Sequence, residues 1–115
     1  RGCCTAMSKP SAPARPEVTV AGLSALRISW VIVATEPEVT ASTVKVRIAG
    51  SQRWYNYDHA TGRLVPKGGA TVPAPTCEVT VDGLEEGIAY EAIIAVLNSE
   101  GWGDVSQSRA PTHIG

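Results

Sequence analysis

Apolar residues recur at every second position in five separate stretches of this chain. A period of two places the apolar side chains on one face of a β-strand and the polar side chains on the other face. Valine and isoleucine supply most of the apolar positions, as is typical of strands. The alternating residues are Val18 and Val20; Leu26, Ile28 and Trp30; Val44, Val46 and Ile48; Cys77, Val79 and Val81; and Tyr90, Ala92, Ile94 and Val96.

Turn-forming residues separate these stretches, among them Gly22, Pro37, Gly50 and Gly83. No stretch shows the 3.6-residue rhythm of a helix. Because each strand would carry one apolar face, two sheets packed face to face are the natural way to bury all of these faces. The sequence therefore predicts an all-β fold, a two-sheet antiparallel sandwich of about seven strands.

Length and composition favour one folded domain with tails. The chain has 115 residues, of which 43% are hydrophobic, and this supplies enough apolar material for one core. Residues 1–14 are rich in Pro, Ser and Ala and predict a flexible linker. Residues 15–112 form the predicted domain, and residues 113–115 form a tail. Within the domain, residues 31–42 predict a long loop with a buried root, and residues 53–72 predict a hairpin at a sheet edge.

The charge pattern and the short apolar runs argue against two kinds of partner, nucleic acid and the interior of a membrane. The formal net charge is −1, and no block of like charges occurs, so the basic surface that nucleic acid requires is missing. The longest aliphatic run, from Ala92 to Leu97, is far shorter than the roughly 20 residues that cross a bilayer. We therefore expect no nucleic-acid binding and no membrane insertion.

Three cysteines, Cys3, Cys4 and Cys77, do not suggest a disulfide framework within the domain. Neither Asn56 nor Asn98 begins a glycosylation sequon. The absence of both signs of secretion leans towards a reducing, intracellular compartment. We expect Cys77 to be a free, buried thiol, and we expect Cys3 and Cys4 to react readily from the linker, although an intermolecular bridge there stays open.

Three motifs, in this order, carry a resemblance to a known family. Residues 16–30 look like a first strand and a second strand that ends in a core tryptophan, Trp30. Residues 84–90 look like a tyrosine corner, with Leu84 six positions before Tyr90. Alternating small or aliphatic residues then lead from Tyr90 to an asparagine and a glycine-bearing loop. Together these motifs resemble the fibronectin type III domain over residues 15–112.

This resemblance implies an immunoglobulin-like sandwich and a specific set of core residues, which are Trp30, Leu84, Tyr90 and Ile94. The indole N–H of Trp30 must find an acceptor, and the hydroxyl of Tyr90 is expected to bond to the backbone upstream. The chain departs from the family at Val44, where an aromatic residue is usual on the third strand.

The remaining large aromatic residues are candidates for partner contact. Trp102 lies between Gly101 and Gly103 in a predicted loop, where the core does not need it. Either it is a binding anchor, or it folds back over the open end of the sandwich or over Pro111. The other candidates form a second group in the hairpin. Strand alternation places Tyr55 and Tyr57 on one face of the hairpin and Trp54 on the other face.

No constellation of side chains in the sequence indicates catalysis. The chain has two histidines, His59 and His113, and Cys77 shares the inward phase of its strand. We expect no catalytic residue, no metal site and no cofactor. Two partner-binding motifs of the family are also missing, Arg-Gly-Asp in the loop after Asn98 and Trp-Ser-x-Trp-Ser around Gly101.

The sequence thus predicts a non-catalytic protein-interaction or spacer module of a larger multidomain protein. The alternative is an accessory domain attached to an enzyme, which would position the catalytic unit or bind carbohydrate.

Overall fold

The computed structural model describes residues 9–33, 37–109 and 111–114. Within these residues the chain forms ten strands and no helix. The strands are β1 Glu17–Gly22, β2 Ala25–Ser29, β3 Ala41–Ile48, β4 Tyr55–Asp58, β5 Arg63–Val65, β6 Val72–Pro73, β7 Glu78–Val81, β8 Ala89–Asn98, β9 Gly101–Trp102 and β10 Thr112–His113. No part of the described chain is a helix with the length and apolar character needed to span a bilayer.

The strands form two antiparallel sheets, as predicted. The smaller sheet has three strands in the order β1–β2–β7. The larger sheet has seven strands and follows the order β10–β8–β3–β4–β5, with β6 also paired to β3 and β9 also paired to β8. The predicted hairpin is present as β4 and β5, and β5 stands at one edge of the larger sheet.

The core lies between the inner faces of the two sheets, where the apolar members of the alternating stretches meet. The four residues predicted for the core are all buried there. The buried cluster consists of Leu26, Ile28, Trp30, Val39, Val44, Val46, Tyr57, Val72, Val79, Val81, Leu84, Tyr90, Ala92, Ile94, Val96 and Ile114.

Two aromatic side chains of the core hold their polar atoms in hydrogen bonds. The indole N–H of Trp30 donates to Oγ of Ser42 over 3.1 Å, and Ser42 is itself fully buried. The hydroxyl of Tyr90 accepts the backbone N–H of Glu85 over 2.9 Å, as expected for a tyrosine corner. A buried polar atom without a partner would cost about 1 to 3 kcal/mol, so these two bonds fix where each ring can sit.

The last edge of the larger sheet is an interrupted strand that the sequence did not predict. Between β9 and β10, the backbone N–H of Ser106 donates to the carbonyl of Ile94 over 2.7 Å. The hydroxyl of Ser106 accepts the N–H of Ile94 over 2.9 Å. Further on, Ile114 is fully buried, although the sequence analysis placed it in a tail. A single apolar residue after a proline gives no periodic signal, so sequence patterning does not detect it.

Residues 9–16 lie along this interrupted strand. Pro10 and Pro16 are buried. The guanidinium of Arg109 donates to the carbonyl of Pro16 over 2.9 Å. A side chain at Gly103 would overlap the carbonyl group of Pro10, so the glycine permits the close approach. Part of the predicted linker thus contacts the domain, whereas residues 1–8, with Cys3 and Cys4, lie outside the described residues.

Two residues of the alternating stretches are exposed rather than inward. Val20 is 49% exposed, at the point where the pairing register between β1 and β2 shifts. Ile48 is 46% exposed because it ends β3. In the predicted long loop, Val39 is buried and Ile32 packs partly against the core, so its root is held as expected.

Candidate interaction surface

The outer face of the larger sheet can be read from the register of its two central strands. On β3, Val44 and Val46 are fully buried in the core, so Thr43, Lys45 and Arg47 point outward. Their partners on β8 point outward with them. The outward pairs are Thr43 with Ala95, Lys45 with Ile93, and Arg47 with Glu91.

Trp54 lies at one end of this outer face. The guanidinium carbon of Arg47 stands 4.5 Å from the centre of the Trp54 ring, a cation–π contact. Nε of the same arginine lies 2.7 Å from Oε1 of Glu91. This carboxylate holds the guanidinium over the ring and neutralises its charge. The sequence alone did not predict Arg47 in this role, because its contact with Trp54 depends on the pairing of β3 with β4, which is not a local property.

Trp102 lies at the other end of the same face. It pairs with Leu97 across β9 and β8, and Leu97 shares the outward phase of Ile93 and Ala95. Trp102 remains 39% exposed, and neighbouring Val105 is 45% exposed. Glu91 and Leu97 are six positions apart on β8, which corresponds to about 20 Å along the strand, so the two tryptophans lie towards opposite ends of one sheet. The sequence treated them as two separate surfaces.

The two tyrosines of the hairpin lie on the inner face of the larger sheet, opposite to Trp54. The prediction that they share one face is therefore confirmed. Tyr55 is paired with Val46 and is half-buried, with the guanidinium carbon of Arg53 5.0 Å from its ring centre. Tyr57 is only 6% exposed and belongs to the core. Burial, and then the charges of Asp82 and Asp58, raise the pKa of Tyr57 above its ordinary value. The prediction of Tyr57 as a candidate contact is therefore wrong.

A groove of about 420 Å³ lies on the outer face beside Trp102. Its floor is the small pair Thr43 and Ala95. Trp102, Gly103 and Val105 form one wall, and Asn56, Gly68, Gly69 and Thr71 form the other, with Lys45 at the far end. The ammonium of Lys45 donates to Oδ1 of Asn56 over 3.1 Å, and Nδ2 of Asn56 donates to the carbonyl of Gly68 over 3.2 Å.

Asp58 holds the second wall in place. Its Oδ1 accepts the backbone N–H of Ala70 over 2.9 Å and that of Ala60 over 3.1 Å, while Oδ2 accepts the hydroxyl of Thr61 over 3.0 Å. These donors favour the ionised form, with the bond from Ala70 as the largest cause, and hold the pKa of Asp58 below its ordinary value. One carboxylate thus ties the β4–β5 turn to the loop that lines the groove.

The thiol and one of the two imidazoles that the sequence offered, Cys77 and His59, lie apart from the groove, whereas His113 is paired with Ala89 at the edge of the larger sheet. Cys77 is a free thiol, as predicted, but it is half-buried, whereas the sequence predicted a buried side chain. It lines a separate cavity of about 530 Å³ together with Trp30 and Val31. His59 is exposed, 5.9 Å from the ring centre of Tyr57. Among the described residues, no three His, Cys, Asp or Glu side chains come together as a metal ion would require.

The sequence matches the family model of the fibronectin type III domain over residues 11–112. The chain belongs to the fibronectin type III family. As a domain of this family it is a module of a type that occurs in multidomain proteins and is generally non-catalytic. No curated protein is significantly similar to it in sequence.

Solved structures of other fibronectin type III domains are similar in fold. A structure of domains from titin has a TM-score of 0.72 and 18% identity, covering 92% of this chain and 32% of the titin chain. The fibronectin type III domain of human collagen alpha-1(XX) has a TM-score of 0.68 and 16% identity, covering 96% and 90%. The twitchin kinase region from C. elegans has a TM-score of 0.70 and 24% identity, covering 92% and 17%. The chain thus spans about a third or less of the titin and twitchin structures.

Proposed function

We propose that this fibronectin type III domain is a non-catalytic protein-interaction or spacer module of a larger multidomain protein. The observation that carries the proposal is the outer face of the larger sheet, with Trp54 and Trp102 at its two ends. A partner seated on this face would contact both rings.

The residues of this face differ from those of an ordinary solvated face. Trp102 is 39% exposed although the core has no need of it. Exposed tryptophan and arginine are enriched among residues that carry binding energy at protein interfaces. Arg47 already has its charge balanced by Glu91 and its plane held by Trp54, so little side-chain freedom is left to lose on binding.

A second candidate function is that of an accessory domain beside an enzyme. Its support is the likeness to the twitchin kinase region and to titin kinase with its flanking domains. In that role the same outer face would contact the catalytic domain and position it. A carbohydrate-binding version would use the exposed ring of Trp102 as a stacking platform.

Affinity capture with matched variants tests the proposal. The domain is used as bait in four forms, namely wild type, Trp54→Ser, Trp102→Ser and Leu23→Ser. Leu23 is 77% exposed in the β1–β2 turn, so its variant removes a similar kind of exposed apolar side chain far from the outer face. Thermal melts of all four forms confirm that each bait is folded.

We expect proteins that wild type and Leu23→Ser retain and that both tryptophan variants lose. A kinase or other enzyme in this set would favour the accessory role. Equal retention by all four forms would show that the outer face is not the contact, and the proposal would fail.

A further inference from the structure

The groove between Trp102 and Lys45 has chemistry that selects one class of ligand. We propose that it binds an extended peptide segment of a partner protein, with an apolar side chain against Trp102 and Val105 and a carboxylate at Lys45. The inference rests on the proposed interaction role and adds the chemistry of the partner.

The shape of the groove follows from the register. Thr43 and Ala95 face each other across β3 and β8, and both have small side chains. On one side the exposed ring of Trp102 rises beside them, and on the other side stands the loop that Asp58 holds. An open groove that runs along the strands, with lining residues on both sides of this pair, suits an extended chain, whose side chains alternate between groove and solvent.

The charge of the groove selects an acidic ligand. Of the ten residues that line the groove, Lys45 alone is charged. In the part of the chain that the structure describes, no carboxylate forms an ion pair with Lys45, whereas its neighbour Arg47 is neutralised by Glu91. The amide of Asn56 holds the ammonium at the end of the groove. A carboxylate from a ligand would complete a pair that the protein leaves half-formed.

The apolar end of the groove sets the spacing that the ligand needs. Trp102 stands at the level of Leu97, which is paired with Ala41, and Lys45 lies four residues further along β3. Four residues of a strand cover about 13 Å, so a bound peptide needs its apolar and acidic side chains about four positions apart. A neutral sugar stacked on Trp102 would leave the charge of Lys45 unused, so the observations favour the peptide.

A synthetic peptide tests this inference before any natural partner has been identified. The probe is a capped peptide of glycine, serine and threonine with one leucine and, about four positions later, one glutamate. It is titrated into the isotope-labelled domain and followed by NMR. We expect shifts at the amides of Lys45 and Ala95 and at the indole N–H of Trp102, and none at Arg27 or Thr80 on the smaller sheet.

Matched changes in the peptide and in the protein separate the two anchors. A glutamine in place of the glutamate should weaken binding about threefold at low salt, and the difference should vanish at about 1 M NaCl. Trp102→Ser should weaken binding by about tenfold or more. Trp54→Ser and Leu23→Ser should leave the affinity unchanged, since neither residue lines the groove.

Several results would overturn the inference. The first is that the peptide shifts resonances outside the groove. The second is that the glutamate and glutamine peptides bind with equal affinity at low salt. The third is that a neutral oligosaccharide such as cellohexaose shifts the groove resonances while the peptide does not. If the peptide fails while Trp54→Ser and Trp102→Ser still lose a captured protein, this inference is wrong and the proposed function stands. If the peptide binds in the groove but capture of a partner does not depend on either tryptophan, the groove is a peptide-binding site and the proposed function is wrong.

Discussion

The two sheets share one core but have very different outer faces. On the smaller sheet, Arg27, Glu78 and Thr80 point outward and are exposed to solvent. On the larger sheet, Ile93 and Ala95 also point outward, yet they are only 9% and 4% exposed, and neither belongs to the core cluster. The larger sheet thus buries apolar side chains on both of its faces.

The contrast between the two outer faces indicates where a partner could bind to this sandwich. A partner gains hydrophobic free energy only from apolar area that is still exposed to water. On the larger sheet such area remains on Trp102 and Val105, which are 39% and 45% exposed, rather than on Ile93 and Ala95. The strip of Ile93 and Ala95 runs between Trp54 at one end and Trp102 at the other. Substitutions can test this contrast, beginning with the core on which both faces depend.

Trp30→Ala should destabilise both sheets together. The change removes the largest inward side chain and leaves the buried hydroxyl of Ser42 without its partner. We expect a loss of about 3 to 5 kcal/mol of unfolding free energy, which is comparable with the stability of a small domain. Urea unfolding measures it, with the milder Trp30→Phe as control. An unchanged urea midpoint for Trp30→Ala would contradict the assignment of Trp30 to the core.

Replacing matched outward residues tests the contrast between the faces directly. Ile93→Ala on the larger sheet should cost about 2 kcal/mol, because it removes a side chain that is almost fully buried. Thr80→Ala on the smaller sheet should change stability by no more than about 0.5 kcal/mol. Chemical unfolding of both variants gives the comparison. Equal effects would mean that the two outer faces are equivalent.

Part of this contrast could be predicted from the sequence and part could not. Alternation predicted the inward phase of Val44, Val46 and Ile94, because a period of two is a local property. It also placed Tyr55 and Tyr57 together. It could not say that Tyr57 faces the core, since an isolated hairpin has two faces and only its pairing with β3 decides between them.

The outer face itself depends on contacts that are distant in sequence. Trp54 meets Arg47 through the pairing of β3 with β4, and Arg47 meets Glu91 through the pairing of β3 with β8. The strand that carries Trp102 ends there and regular strand resumes only at Thr112, so this edge has no alternating pattern that the sequence could reveal. Pairing register, rather than local pattern, brings the two tryptophans to one face.

An arginine–glutamate pair joins two neighbouring strands on each outer face, and these two cross-strand pairs should differ in strength. Arg47 and Glu91 are 2.7 Å apart, with side chains 28% and 15% exposed, whereas Arg27 and Glu78 are 3.8 Å apart and 56% and 61% exposed. Double-mutant cycles to alanine should give a coupling of about 1 kcal/mol for the first pair and about 0.2 kcal/mol or less for the second. Similar couplings would show that burial on the larger sheet does not strengthen its charges.

The smallest effect expected is a local loosening of the groove in acid. Because the folded protein holds the pKa of Asp58 below its ordinary value, the ionised carboxylate stabilises the loop, and this contribution is complete above the unfolded-state pKa of about 3.9. It is lost as the pH falls through the lower, folded-state pKa. The amide protons of Ala60 and Ala70, which donate to this carboxylate, should shift together with a midpoint below about 3.9 in an NMR pH titration, and Asp58→Asn should abolish the step. The amide of Val79 on the smaller sheet is the reference. If it shifts with the same midpoint, the acid transition is global and Asp58 does not act on the groove alone.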